Sequence, residues 1–367
     1  MVLDTLKWTG FILVALMILL ILVASVARLI HYFYGRITTK AGISEKTYVK
    51  IGGQEQYLHI MGKDRNNPIM LLLHGGPGGP DGFINYPFTK YLMEDYTVVY
   101  WNQRGCGRTY FRNKKADPQN DTATFEQALK DLDELVDYLC NRFQKEKVIL
   151  FGHSYGTLLG SSYAMQHPKK VEKYIGVGQM VSMESEIYSY RDALEKAKEK
   201  GHDTKAMEAA GQAFIQEKTM PNMINLRMQV NKYHKVPKCA NQIWLGLASP
   251  HMNIADVRWF LKSINHKKYM YINRHLFDYV LKADVRDYGL EYQMPVVFLS
   301  GACDWITPAE VTRTYCEEIQ APWKAFDTLE ACGHAPQLDN PKAFCNKLKH
   351  ALKKSEEKSR MQIMEAK

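Results

Sequence analysis

Residues 152–156 read Gly152-His153-Ser154-Tyr155-Gly156, a G-x-S-x-G string. The apolar run Val148-Ile149-Leu150-Phe151 precedes it, and a helix-like stretch over residues 158–166 follows. A serine between a strand and a helix, flanked by glycines, is the pattern of a nucleophile elbow. The turn lifts the hydroxyl above the sheet, and side chains at the glycine positions would meet the strand and helix passing close by. This one setting demands a sheet whose strands end at a common rim.

Three more strand ends carry candidate chemistry. Pro68-Ile69-Met70-Leu71-Leu72-Leu73 reads as a buried strand running into His74-Gly75-Gly76-Pro77-Gly78-Gly79. A glycine-rich turn there can offer backbone N–H groups to an oxyanion. Pro295-Val296-Val297-Phe298-Leu299-Ser300 is a second such strand, ending in Gly301-Ala302-Cys303-Asp304. The strand-like residues 325–329 lead to Gly333-His334-Ala335-Pro336. Serine, then aspartate, then histidine is the chain order of α/β-hydrolases.

The chemistry assigns roles. Ser154 needs a base to take its proton; His334 is the candidate, and Asp304 would orient it. The N–H groups of Tyr155 and Gly76 would hold the oxyanion, since Pro77 has none to give. Rival readings exist. Asp304 could cap the helix beginning near Thr307-Pro308. His74 and His153 read as loop-shaping hydrogen bonders, His350 as solvated, and Glu330 as a surface residue.

The chain resembles the proline iminopeptidase-type α/β-hydrolases, a family of serine aminopeptidases. The resemblance rests on residues 74–79, 152–156, 301–304 and 333–336 and on Asn102-Gln103-Arg104-Gly105-Cys106-Gly107-Arg108-Thr109. It spans residues 45–350. It implies Ser154, Asp304 and His334 as the triad, Gly76 and Tyr155 as oxyanion donors, and no metal or organic cofactor. Two positions depart from the family. Asn102 stands where an aspartate is usual, keeping the hydrogen bonds without the charge, in a loop expected to brace the oxyanion loop. The elbow is Gly-His-Ser-Tyr-Gly rather than Gly-Gly-Ser-Trp-Gly, a form widespread in esterases. An esterase, amidase or lactonase acting on a small acyl substrate is therefore the alternative to an aminopeptidase. An inactive hydrolase-like binding protein is a third reading, opposed by the intact triad.

The expected fold class is α/β, an α/β-hydrolase fold with a mostly parallel central sheet flanked by helices. The core falls in residues 45–178 and 293–352, interrupted by a helical cap over 179–292. Residues 46–61 predict an opening hairpin turning at Gly52-Gly53. Residues 125–143 predict an amphipathic helix with Ala128, Leu132, Leu135, Val136 and Leu139 on one face. Within the cap, Val257, Phe260, Leu261 and Ile264 recur at helical spacing and read as part of its small core. Trp244, Trp259, Tyr269, Tyr271 and Phe277 add aromatic bulk, each read first as part of that same small core, with some of it expected to line a pocket. An aminopeptidase needs a carboxylate for the substrate ammonium; Glu184 and Glu186 are the candidates, each with a solvated surface position as its rival. Residues 353–367 read as a frayed polar tail.

Residues 11–27 carry no charge, enough at about 1.5 Å per residue to cross most of a bilayer's hydrocarbon. We read 9–30 as a transmembrane anchor. A signal peptide is the alternative, with Ser25-Val26-Ala27 as its cleavage site. Arg28, Arg36 and Lys40 follow, and His31, Tyr32, Phe33 and Tyr34 resemble an interfacial belt. The positive-inside rule then puts the catalytic domain on the cytoplasmic side. The seven scattered cysteines suit a reducing compartment, and Cys303 and Cys332 fall near the triad, where thiol reagents could reach them. The formal charge of +9 comes without a basic stripe interleaved with aromatics, which argues against nucleic acid as a partner. The partners expected are a small peptide or acyl substrate and the lipid bilayer.

Overall fold

The computed structural model describes residues 2–365, and the side chains of residues 5–361. Eight strands form one sheet: β1 (Ile43–Ile51), β2 (Gln54–Gly62), β3 (Ile69–Leu73), β4 (Thr97–Asn102), β5 (Val148–His153), β6 (Val171–Val177), β7 (Val296–Gly301) and β8 (Lys324–Leu329). Their order is β1-β2-β4-β3-β5-β6-β7-β8. The β1–β2 and β2–β4 pairs are antiparallel, and all later pairs are parallel. The opening hairpin turns at Gly52 and Gly53, with φ of 53° and 78°. Positive φ at both central residues matches the twist of a tight hairpin, and glycine takes it without strain.

Helices cover both faces. The N-terminal α1 (Val2–Tyr34) precedes the sheet; α2 (Tyr86–Leu92), α3 (Gly107–Asn113), α4 (Phe125–Phe143) and α5 (Tyr155–Gln166) lie among the early strands. Between β6 and β7 come α6 (Glu184–Glu199), α7 (Lys205–Gln216), α8 (Met220–Val230), α9 (Gln242–Leu247), α10 (Ile254–Ile264), α11 (His266–Ile272) and α12 (Arg274–Val280). The chain closes with α13 (Ala309–Glu318), α14 (Pro336–Asp339) and α15 (Pro341–Glu365).

Side chains alternate across the sheet because the strand period is two. Leu71, Leu73, Val99 and Leu150 join the core under α4, α5 and the helices after β6. Met70, Leu72, Val98, Tyr100 and Phe151 face the other way, against Phe88 of α2 and Phe344 and Leu348 of α15. Strands buried on both faces read as continuous apolar runs, which is why β3, β5 and β7 stand out in the sequence. Helix α4 has its expected bounds; the Thr124 side chain accepts from the Gln127 N–H at its start, and Gln144 ends it in a left-handed conformation.

Two local expectations are corrected, and one element is longer than its expected span. The stretch after Lys353 is not frayed: α15 runs on to Glu365, held where Leu352 and Ser355 are buried and Glu356 meets Lys173 at 3.1 Å; residues 366–367 lie outside the described residues. The apolar stripe of α10 does not form a core, since that helix buries Asp256 and Trp259 and leaves Val257, Phe260, Leu261 and Ile264 exposed. The first helix extends well beyond residues 9–30; from Thr5 to Tyr34 it is long and apolar enough to cross a bilayer, a property that anchors and signal sequences share.

Candidate active site

Strand β5 ends at His153 and α5 begins at Tyr155, so Ser154 alone makes the turn. Its φ of 54° and ψ of −125° lie in a region that non-glycine residues avoid, at a cost of order 1–3 kcal/mol that the surroundings must offset. The flanking glycines are required by space. A Cβ on Gly152 would sit 2.7 Å from the Gly156 carbonyl oxygen, and one on Gly156 would sit 2.1 Å from that of Leu73. The Ser154 N–H donates to the Val177 carbonyl at 3.0 Å, fixing the elbow to the neighbouring strand.

Ser154, His334 and Asp304 come together although 180 and 30 residues separate the successive pairs. The Ser154 hydroxyl donates to His334 Nε2 at 2.8 Å. His334 Nδ1–H donates to Asp304 Oδ2 at 2.9 Å. Asp304 also caps the following turn, as the rival reading expects: its Oδ1 accepts from the Ile306 and Thr307 N–H groups at 2.9 and 3.0 Å. The Thr307 hydroxyl donates to Oδ2 at 2.8 Å. One carboxylate thus serves both the turn and the histidine. Burial would raise the Asp304 carboxyl pKa, but the His334 ring and the Thr307 donors outweigh it and hold the group below its ordinary value. An ionised Asp304 keeps His334 protonated on Nδ1 and leaves Nε2 free to take the serine proton.

The turn after β3 lies over the serine. A Cβ on Gly75 would meet the Ser154 Cβ at 3.0 Å, and Gly76 has a φ of +120°. Gly76 and Tyr155 line the same cleft as Ser154 and His334. Their N–H groups have no hydrogen-bond partner among the described residues. His74 braces this turn from beneath: Nδ1–H donates to the Gly75 carbonyl at 2.9 Å and Nε2 accepts from the Gln103 N–H at 3.3 Å. Burial lowers its pKa, which suits that neutral tautomer. His153 Nε2–H donates to the His334 carbonyl at 2.8 Å, so it too shapes a loop. Asn102 accepts from the Arg108 N–H at 3.0 Å and secures its own loop; Gln103 is the residue that reaches His74.

His350 and Glu330 are exposed. Cys303 is half-buried and Cys332 buried; burial pushes the Cys332 thiol up, away from the reactive thiolate.

The cleft has a volume of about 320 Å³. Its apolar wall includes Met180, Met183, Met223 and Phe277. The two glutamates separate here. Glu186 is on the wall, but its carboxylate takes the Arg227 guanidinium, with Nε at 3.0 and 3.1 Å from its two oxygens and Nη2 also in contact. Glu184 is not among the lining residues and pairs with Arg286 at 3.0 Å. A third carboxylate, that of Asp81, lines the cleft; the Asp81 backbone carbonyl accepts from the Ile84 N–H at 2.8 Å, but its side chain has no hydrogen bond or ion pair among the described residues. Sequence reasoning misses Asp81 because it sits in a turn of ordinary composition; its place just after the glycine-rich turn of residues 74–79 is the signal that could have found it. Among the aromatic residues, Phe277 reaches the cleft, Trp259 is buried beside Gly78, and Trp244 and Tyr271 are exposed.

Comparison with known proteins agrees with this fold. The family described as alpha/beta hydrolase fold matches residues 68–341. The chain belongs to that family. It is 27% identical over 323 residues to the probable aminopeptidase YbaC of Bacillus subtilis (strain 168), covering 86% of this chain and 98% of that protein. It is 24% identical over 303 residues to the proline iminopeptidase of Lactobacillus delbrueckii subsp. lactis, covering 80% and 92%. Among solved structures, the proline iminopeptidase of Mycobacterium smegmatis superposes with a TM-score of 0.58 at 16% identity, over 85% of this chain and 98% of that one. A membrane phospholipase A, described as a bacterial virulence factor, superposes with a TM-score of 0.57 at 16% identity, over 97% and 99%. These superpositions establish the fold. As a member of the α/β-hydrolase family, the chain carries its serine, aspartate and histidine in the family's order.

Proposed function

We propose that this α/β-hydrolase is a membrane-anchored serine hydrolase that works through an acyl-enzyme, and that it releases N-terminal proline or another small residue from peptides. The observation that carries the hydrolase chemistry is the continuous chain of hydrogen bonds from Ser154 through His334 to Asp304. In acylation Ser154 Oγ bonds to the substrate carbonyl carbon while its proton passes to His334 Nε2. The carbonyl oxygen takes the negative charge under the Gly76 and Tyr155 N–H groups. The C–N bond then breaks, and His334 gives the proton to the leaving amine. Water repeats the sequence to free the acid.

The aminopeptidase reading draws on the relatives' names and on the cleft's carboxylates. Asp81 is the one best placed to meet a substrate ammonium, because Arg227 already neutralises Glu186. Glu184, held by Arg286 away from the cleft wall, drops out as a candidate. The same Glu186–Arg227 pairing favours a second reading. If Asp81 does not serve the amine, the cleft suits an uncharged acyl ester or amide.

The α1 helix serves as the anchor, with Arg28, Arg36 and Lys40 keeping the catalytic domain on the cytoplasmic side. The test compares hydrolysis of a proline arylamide, its N-acetyl form and a short-chain acyl ester by the full chain in detergent, with Ser154→Ala as the blank. Cleavage of the free-amine arylamide alone supports the aminopeptidase. Cleavage of the ester alone supports the second reading and removes the first.

A further inference from the structure

Helix α10 carries a stripe that none of the described residues covers. Ile254, Val257, Leu261 and Ile264 recur at i, i+3, i+7 and i+10, one face of a helix, with Phe260 beside them. Ile254 is 77% exposed and Leu261 61%. The opposite side of the helix is fixed to the site: Asp256 pairs with Arg108, and Trp259 Nε1–H donates to the Gly78 carbonyl at 2.9 Å. Helix α9 adds exposed Ile243 and Trp244, next to Gln242, which lines the catalytic cleft.

What covers this surface is indicated by where α1 meets the domain. Among residues 11–27, Ala24 is buried and Ala27 half-buried while the others are exposed. With Arg28 and His31 they make one face at i, i+3, i+4 and i+7. Arg28 Nε–H donates to the Leu247 carbonyl at the end of α9 at 2.7 Å, and the His31 ring lies 4.7 Å from that of Tyr86. Ala24 lies inside the uncharged run, about 6 Å further along the helix than Arg28. If α1 spans a bilayer, the flank of the domain that covers Ala24 already reaches the depth of the acyl chains.

The charge at this surface fits the same partner. The exposed cations of α10 and α11 include Arg258, Lys267 and Lys268, with Lys262 half-buried beside them. Burial, then the charges of Lys268, Lys114 and Arg258, push the Lys262 ammonium below its ordinary range. Anionic headgroups would relieve that crowding, and basic residues near an anionic leaflet are attracted to it.

We infer that the apolar stripe of α10, with Ile243 and Trp244 of α9, docks into the same bilayer leaflet that α1 leaves, so that the catalytic cleft opens at the membrane surface. This rests on the anchor reading of α1. The anchor and the cap helices then form one membrane-facing surface, and Trp244 and Phe260 sit at the interfacial level that aromatic side chains favour.

The test uses tryptophan emission of the full chain, reconstituted into phosphatidylcholine–phosphatidylglycerol vesicles with and without bromine on the acyl chains. Trp8 reports the anchor and Trp244 the cap. Trp8→Phe is expected to remove one part of the bromine quenching and Trp244→Phe another. Adding Leu261→Trp, or separately Ile264→Trp, to the Trp244→Phe chain restores the second part, with matched melting transitions as the check on folding. Quenching of Trp8 with none at positions 244, 261 and 264 overturns the docking and leaves the anchor standing. That is also the pattern expected if a second copy or another protein covers the stripe. An unquenched Trp8 overturns the anchor reading, and the docking with it.

Discussion

Arg108 and Asp256 form a bidentate ion pair, Nε to Oδ1 at 3.0 Å and Nη2 to Oδ2 at 2.5 Å, with both side chains buried. The guanidinium also lies over the Tyr57 ring, 4.3 Å from its centroid. The pair joins the first turn of α3 to α10, and three residues on from Asp256 the Trp259 indole holds the Gly78 carbonyl. A motif that looks local in sequence thus locks α10 over the glycine-rich turn after β3.

Removing one partner of such a pair leaves a buried charge uncompensated. Asp256→Ala is expected to destabilise the chain by about 3–5 kcal/mol and to lower kcat through the loosened oxyanion loop. Denaturant titration of the two proteins checks it. A change below about 1 kcal/mol with full activity would mean that the pair is solvated and holds nothing.

Space around Gly76 makes a second prediction. Its φ of +120° and the 2.6 Å approach of the Gly79 nitrogen to any added Cβ forbid a side chain without moving the loop. Gly76→Ala is expected to lower kcat by about 10²–10³-fold, the usual cost of losing one oxyanion donor, with KM little changed. Steady-state kinetics on any cleaved substrate decides it; unchanged kcat would place the oxyanion elsewhere.

The cleft's carboxylates should behave differently from each other. Asp81→Asn is expected to raise KM for free-amine arylamides by tenfold or more, about 1.4 kcal/mol, and to leave acyl esters unaffected. Glu186→Gln should affect both substrate types alike and lower stability, since it strands the Arg227 guanidinium. Equal effects of Asp81→Asn on both substrate types would remove it as an ammonium anchor.

Acid should weaken the fold in a defined window. Burial, then the Lys46 and Arg108 charges, lower the His251 pKa from 6.5 to about 4. Between those values the unfolded chain binds a proton that the folded one refuses. Stability is therefore lost as pH falls from about 6.5 to about 4, by roughly 3 kcal/mol for this group. His251→Gln is expected to flatten that part of the stability profile. An identical slope in both proteins would show that His251 does not contribute.

The readability of the chain follows from where each contact lies. The elbow, the Gly52-Gly53 hairpin and α4 are legible because strand, turn and helix chemistry is local, and three strand ends in the right order point to Ser154, Asp304 and His334, which the fold brings into hydrogen-bond contact. The pairing of Glu186 with Arg227 was not legible; it joins α6 to α8 across 41 residues and only the packed cap creates it. The α10 stripe is exposed where its spacing suggests core, for a different reason. Helical spacing says that one face is apolar, but an apolar face reads the same whether protein or lipid covers it. Asp81 is not legible either, because nothing in its neighbours' composition marks a cleft wall that the fold alone assembles.

The central claim is that Ser154 is the nucleophile, activated by His334 and Asp304. Its most direct test is covalent: the full chain is treated with a fluorophosphonate, digested, and the modified residue is located by mass spectrometry. The account predicts one adduct, on Ser154, abolished in Ser154→Ala and strongly slowed in His334→Gln. An adduct on another residue, or none on a folded chain, would contradict it.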